Sequence, residues 1–289
     1  MNTQQMLQIV NETIPSDQIF KLDTFGNGWD NDILVINEET VFRFPKTREI
    51  AAKVVNETAL LKHLAAKAPM LEIPRYELIH INGKMAGVKY PYLEGVVLGG
   101  FTPPKHQSSV LLGDFLTKLH SIRKSDLPNL KTHHTKEYWK ELFLKVRTYV
   151  FPHLATAQKT VVLDFFGEFL TKYESVNLAV IHGDLTTANI LCDPETGMVS
   201  GVIDFTDAQW GDPAFDFAGL YWSYGPGVTK EVLSHYKAVD KEEIFKRVEN
   251  FYGLQPVFHE LVYAVKEELD VNWEKALDRF LYLQTLREK

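Results

Sequence analysis

The amino-acid sequence predicts an α+β protein built as two lobes, a small β-rich one over residues 1–94 and a larger, mainly helical one over 95–289. Three observations carry this expectation. Short runs of β-branched and aromatic residues, broken by turn signals, crowd the first third. Apolar residues at helical spacing dominate from residue 106 onward. Strands and helices are segregated and do not alternate, which argues against a βαβ architecture.

Residues 18–47 read as strands. The run 33–36 is apolar and β-branched, 37–40 is a turn, and 41–44 is a second short strand ended by Pro45. Residues 49–66 read as a helix, because Ile50, Val54, Leu61 and Leu64 recur on one face. Strand character returns over 73–93, with the turn Asn82–Gly83 inside it. Residues 106–122, 136–150 and 157–175 read as helices, 178–204 as a short β segment, and 213–223 and the stretches from 228 to 287 as helices again. The junction of the two lobes is expected in the 90–100 segment.

Composition narrows the function classes. Hydrophobic content of 45% and charged content of 24% are ordinary for a soluble globular chain of 289 residues. The net charge is −7, and −5 of it falls in residues 205–289, with 15 acids against 10 bases. A broad basic face for nucleic acid is therefore not expected. The acidic last third suits a cationic ligand and equally suits a solvated helical surface. The single cysteine, Cys192, can build neither a disulfide framework nor a cysteine zinc cluster, and reads as a buried strand thiol. The first residues lack the basic start and apolar run of a secretory signal, and no apolar window of about 18 residues occurs. The expectation is a cytosolic monomer without membrane partners.

Chemistry concentrates in Ile181-His182-Gly183-Asp184-Leu185-Thr186-Thr187-Ala188-Asn189-Ile190-Leu191, followed by Gly201-Val202-Ile203-Asp204-Phe205. Phosphoryl transfer needs a carboxylate to take the proton of an attacking hydroxyl, oxygen ligands for Mg2+ on the phosphates, and a cation for the remaining charge. Asp184 sits in a loop after an apolar strand, and Asn189 opens the next strand five residues on. If the Asp193–Gly197 turn centres between Thr196 and Gly197, Asn189 pairs across a hairpin with Asp204, bringing an amide oxygen and a carboxylate beside the Asp184 loop. His182 braces that loop.

A second constellation is Arg43 with Glu57. Glu57 interrupts the apolar seam of its helix and Arg43 interrupts an apolar strand, so each is costly unless paired. Mutual pairing solves both problems and leaves a cation near the phosphates, although Lys46 or Arg48 could be the partner instead. Gly26 and Gly28, in Phe25-Gly26-Asn27-Gly28-Trp29, could let backbone amides approach phosphate, or form a plain hairpin turn. No Gly-Lys-Ser/Thr is present, so this is not a Walker loop, and His259-Glu260 lacks the second histidine of a zinc protease.

These residues resemble the aminoglycoside phosphotransferase and choline kinase-like family, which has a bilobal protein-kinase-like fold. The likeness rests on His182-Gly183-Asp184-Leu185-x-x-x-Asn189-Ile190-Leu191, on Gly201-x-Ile203-Asp204-Phe205, and on Asp212-Pro213-x-x-Asp216-Phe217-Ala218. It implies that Asp184 is the catalytic base, that Asn189 and Asp204 hold Mg2+, and that Asp216 braces the catalytic loop. In Tyr90-Pro91-Tyr92-Leu93-Glu94-Gly95 it implies that the Pro91 carbonyl and the Leu93 amide take the base of ATP or GTP. Gly28-Trp29-Asp30-Asn31, Phe42-Arg43-Phe44-Pro45-Lys46 and Glu57 look closest to the 2''-type aminoglycoside kinases.

One departure is Arg43, where the family commonly has lysine, and it leaves open whether Arg43 or Lys46 touches phosphate. Another is Ile203-Asp204-Phe205-Thr206-Asp207-Ala208, which is also similar to macrolide kinases. Eleven residues separate Asp204 from Asp216, too few to dock a peptide substrate. The expected acceptor is a hydroxyl on an aminoglycoside, with Glu260, Glu267, Asp270, Trp273 and Glu274 as candidate pocket residues. A macrolide, a sugar or amino-alcohol acceptor, or a non-catalytic nucleotide-binding role are the alternatives.

Overall fold

The computed structural model describes residues 3–25, 30–99, 103–173, 176–238 and 240–287. The expected glycine turn with Gly26 and Gly28 lies outside the described residues. Five antiparallel strands form the N-terminal sheet: β1 (Leu22–Phe25), β2 (Asn31–Ile36), β3 (Thr40–Pro45), β4 (Glu77–Ile81) and β5 (Lys84–Pro91), in the order β1-β2-β3-β5-β4. The β4–β5 hairpin turns at Asn82 and Gly83, both at positive φ (51° and 76°), the twist such a two-residue turn needs.

The two faces of β3 explain the division of labour in this sheet. Side chains alternate along a strand. Phe42 and Phe44 are buried with Met6, Ile9 and Val10 of the N-terminal helix α1 (Thr3–Thr13). Arg43 points to the other face, toward α2 (Arg48–Ala65), which opens with the Thr47 hydroxyl capping the Ile50 amide at 3.2 Å. The helix α1 was not expected, although Met6, Ile9 and Val10 stand at helical spacing.

The remainder is mainly helical: α3 (His106–His120), α4 (Lys136–Lys145), α5 (Thr156–Lys172), α6 (Ala218–Tyr224), α7 (Pro226–His235), α8 (Lys241–Arg247), α9 (Pro256–Lys266) and α10 (Asp278–Thr285). Its core holds Trp139, Phe165, Phe166, Phe251 and Phe258, and runs on without a break to Leu60, Leu61 and Leu64 of α2. One apolar body therefore links the helical part to the helix that carries Glu57. Among the described residues, no helix is long and apolar enough to cross a membrane.

Short strands line the seam between the two parts. β6 (Val96–Val97) pairs with β8 (Ile190–Cys192), which pairs with β9 (Val199–Val202). β7 (Ala179–Ile181) pairs with β10 (Gln209–Gly211), an element the sequence pattern did not announce.

Candidate active site

The loop after β7 is held from below. Gly183 sits at φ 82°, and a Cβ there would lie 2.2 Å from the Asp207 carbonyl oxygen, so only glycine fits. The buried Asp216 carboxylate accepts the His182 and Gly183 amides at 2.8 and 3.0 Å and meets His120 Nε2 at 3.0 Å. Burial alone would raise the Asp216 carboxyl, but His120 and His182 outweigh it and hold it below the usual carboxylate range. His182 is itself buried. Its Nε2 bonds the Ile203 carbonyl at 3.0 Å, which leaves Nδ1 to accept the Asp184 amide at 3.3 Å. His120 was missed in the sequence because a histidine late in a helix gives no signal of its tertiary partner.

The loop presents Asp184 with its side chain open to the cleft. The site around it is deep, and desolvation pushes the carboxyl up to about 6, with Asp207 and Asp204 adding to the rise and His182 and Asn189 opposing it. The Asn189 amide donates to Asp184 Oδ2 and to the Asp184 carbonyl, both at 2.8 Å. With its NH2 group committed, the oxygen of Asn189 is the atom left for a cation.

The hairpin differs from expectation by one residue. Ile190 faces Val202 and Leu191 faces Gly201, and the Ile203 amide donates to the Asn189 carbonyl at 3.0 Å. Asn189 therefore stands opposite Ile203, not Asp204. The register shifts between Leu191 and Cys192, a one-residue irregularity that no composition signal marks. Asp204 then leaves the strand at φ 61°, an uncommon conformation for a non-glycine residue, and lines the same cleft as Asn189. An amide oxygen and a carboxylate are hard donors that fit Mg2+, which keeps few protein ligands and completes its shell with phosphate and water.

The buried Arg43 and Glu57 do pair, Nη1 to Oε1 at 3.1 Å. Tyr76 completes the cluster: its hydroxyl accepts from Arg43 Nη1 at 2.6 Å and donates to Glu57 Oε1 at 2.9 Å. Arg43 Nη2 donates to the Thr206 hydroxyl at 2.7 Å. The Asn31 amide, with its oxygen turned toward the guanidinium, accepts from Nε and Nη2 at 3.1 and 3.0 Å. Burial opposes the charge on Arg43, but Glu57 and Tyr76 outweigh it, and its pKa is raised. Burial holds the Glu57 carboxyl above the usual carboxylate range, and the Arg43 guanidinium in contact with it opposes that rise. Lys46 lies just beyond β3, 3.5 Å from Asp32.

Two clefts meet at this cluster. The first, of about 580 Å³, is lined by Val35, Val41, Arg43, Tyr90, Leu93, Asn189 and Asp204. The second, of about 880 Å³, runs past Asp184 to a wall of Phe215, His134, Tyr138, His259 and Glu260. Thr206 and Asp207 border both. The His134 ring lies 4.3 Å from that of Phe215 and 4.8 Å from that of Tyr138. Desolvation depresses both His134 and His259 to about 4, so both rings are neutral at neutral pH, and it raises the Glu260 carboxyl beside them. Gln209 Oε1 fastens its near end by accepting the His133 and His134 amides at 2.8 and 2.9 Å.

Of the five acceptor-pocket candidates, Glu260 borders the second cleft. Glu267, Asp270, Trp273 and Glu274 are not among its lining residues, and Trp273 stacks on His153 with centroids 4.2 Å apart. Helix α9 explains the split. Val257, Phe258, Leu261 and Val262 face the core, Pro256, His259 and Glu260 turn to the cleft, and the helix ends at Lys266. At the expected hinge, Leu93 lines the first cleft. Pro91 closes β5 opposite Thr40 and is not among the lining residues.

Comparison with known proteins fits this geometry. The GDP complex of aminoglycoside 2'-phosphotransferase-IIIa superposes with a TM-score of 0.78 at 22% identity, over 99% of each chain. A second complex of this type carries GDP with kanamycin. Macrolide 2'-phosphotransferase type I superposes with a TM-score of 0.66 at 19% identity, over 99% of this chain and 97% of that one. Viomycin phosphotransferase of Streptomyces vinaceus is 33% identical over 98 residues, a stretch that spans 33% of this chain and 34% of that protein. Residues 21–249 match the phosphotransferase enzyme family. By the match across most of its length, the chain belongs to that family.

Proposed function

We propose that this chain moves the γ-phosphoryl group of ATP or GTP onto a hydroxyl of a small antibiotic, of the aminoglycoside type in the first instance. The observation that carries the reading is that Asp184 lines a second cleft large enough for an acceptor while its carboxylate is bonded to Asn189, which lines the first cleft with Arg43 and Asp204. Residues 1–94 would hold the nucleotide and residues 95–289 the catalytic loop and the acceptor.

In this reading Asp184 accepts the proton of the acceptor hydroxyl, whose oxygen bonds to the γ-phosphorus. The bond from that phosphorus to the β–γ bridging oxygen breaks, and the nucleoside diphosphate leaves. A carboxyl held near 6 is ionised at neutral pH yet basic enough to take the proton. Arg43 supplies the cation on the nucleotide side, fixed by Glu57 and Tyr76. Asn189 and Asp204 would hold Mg2+, which screens phosphate charge when bound.

The relatives support an antibiotic acceptor, since those compared act on aminoglycosides, macrolides or viomycin. A macrolide is the second reading, favoured by the aromatic and neutral imidazole rings of Phe215, Tyr138, His134 and His259 in the wall of the second cleft. The acidic last third supports a polycation less than its composition suggests, because Glu267, Asp270 and Glu274 stand away from that wall. The test is phosphate transfer from labelled ATP and GTP, with Mg2+, to a panel of aminoglycosides, macrolides and amino alcohols. Transfer to an aminoglycoside supports the first reading and transfer only to macrolides the second. No transfer to any of them, with an intact Asp184, removes the antibiotic reading.

A further inference from the structure

We propose that Thr206 is a positioning residue that ties the cation of the N-terminal sheet to the carboxylate that would hold the metal. The inference rests on the reading of Asp204 as that carboxylate. Thr206 stands two residues beyond Asp204, and its hydroxyl does two jobs at once. It accepts from Arg43 Nη2 at 2.7 Å and donates to Asp204 Oδ1 at 2.5 Å. Its amide also points to Asp204 Oδ1, at 3.4 Å. A hydroxyl is one of the few side-chain groups that can accept from a cation and donate to an anion through one atom.

The consequence is electrostatic as well as steric. The guanidinium polarises the Thr206 O–H, and a polarised donor binds a carboxylate more strongly. Asp204 needs such a tether, because at φ 61° its backbone sits where non-glycine residues are held only by their surroundings. With Oδ1 fixed, the carboxylate is aimed before any metal arrives. The β-branch of threonine limits rotation about χ1 and keeps the hydroxyl in line.

The relay also accounts for the arginine at position 43. Glu57 and Tyr76 are met by Nη1, while Thr206 is met by Nη2. A lysine ammonium presents its donors from a single atom and could not reach both sides. Arg43 and Thr206 thus form a matched pair across 163 residues of sequence.

The test is Mn2+ binding in the presence of ADP, read by the paramagnetic resonance signal of the free ion, for the full chain and for Thr206→Val and Thr206→Ser. Loss of the hydroxyl in Thr206→Val should weaken Mn2+ about tenfold, the scale of one charge-assisted hydrogen bond. Thr206→Ser keeps the hydroxyl and should stay within about threefold of the parent. In Arg43→Lys the same Thr206→Val change should cost little more, because the relay is already cut. Equal affinity in Thr206→Val and the parent would overturn the proposal, as would Thr206→Ser failing as badly as Thr206→Val. Asp204→Ala serves as the separate control. If it keeps full Mn2+ affinity, Asp204 is not the metal carboxylate and the reading beneath the proposal falls first.

Discussion

Removing Glu57 tests the buried pair most directly. Glu57→Ala leaves the Arg43 guanidinium in a site where the two side chains are 5% and 1% exposed. Breaking one partner of a buried pair costs about 3–5 kcal/mol. Arg43 would keep Tyr76 and Thr206 as neutral acceptors, which places the expected cost near the lower end, ~3 kcal/mol. An unfolding entropy of about 2 cal/mol/K per residue turns that into a fall in Tm of ~5 °C for a chain of this length. Arg43→Ala should cost a similar amount. The double variant should lose less than the sum of the two, with a coupling of about 1–3 kcal/mol. Chemical denaturation of the four proteins gives the cycle, and titration with ADP gives nucleotide affinity, which should fall wherever Arg43 is lost or loosened. Strict additivity in stability with unchanged nucleotide affinity would refute the pairing argument and move attention to Lys46.

Changes within the two clefts have distinct expected outcomes. Asp184→Asn should lower kcat about 10²–10⁴-fold with little change in nucleotide binding; near-parental turnover would remove Asp184 as the base. The acceptor-side kcat/KM of the parent should decline as pH drops below about 6, where Asp184 takes up a proton. That carboxyl is raised above its unfolded value, so its ionisation lowers stability as pH rises toward 6; Asp184→Asn should therefore gain in Tm above pH 6 and gain little near pH 4. Asp204→Ala should abolish turnover and weaken metal–nucleotide binding, while Asn189→Ala, which removes a neutral ligand, should be milder; equal and small effects in assays of both would dismiss the metal site. His259, depressed to about 4, contributes stability that is complete above its unfolded value and is lost as pH falls toward 4. His259→Phe should flatten the loss of Tm on acidification, and an unchanged acid profile would contradict the depressed value.

Some of this arrangement was legible in the sequence for physical reasons. A carboxylate on an apolar helical seam and an arginine inside an apolar strand each demand a partner, and Glu57 and Arg43 are indeed in contact. The strand–loop–strand spacing of residues 181–204 brought Asp184, Asn189 and Asp204 to one place, because a short hairpin has few ways to close. What it did not fix was register. The irregularity beside Cys192 arises from backbone pairing, and turn residues alone do not encode it. Tyr76 and Thr206 escaped notice because a hydroxyl in a strand-rich or loop segment carries no pattern of its own. Their roles emerge only when distant elements meet Arg43. The acids after residue 260 illustrate the converse. Composition counted them together, but helix direction separates Glu260 from the others.

The connection between the two parts of the molecule offers a practical handle. On one side the Tyr92 amide is bonded to the Glu39 carbonyl at 2.7 Å, and on the other Val96 and Val97 are zipped to β8. Only residues 93–95 are left between these anchorages, and a Cβ on Gly95 would already touch the Cys192 carbonyl at 3.0 Å. Cys192, the sole thiol in the chain, is the β8 residue opposite Val96, and it is buried in the main core with its pKa raised by desolvation. An alkylating reagent can reach it only when the core packing around β8 opens. The rate of thiol labelling is therefore a clock for opening of the core beside this connection, built into the sequence, and its slowing on addition of nucleotide would show that the bound state holds this region shut.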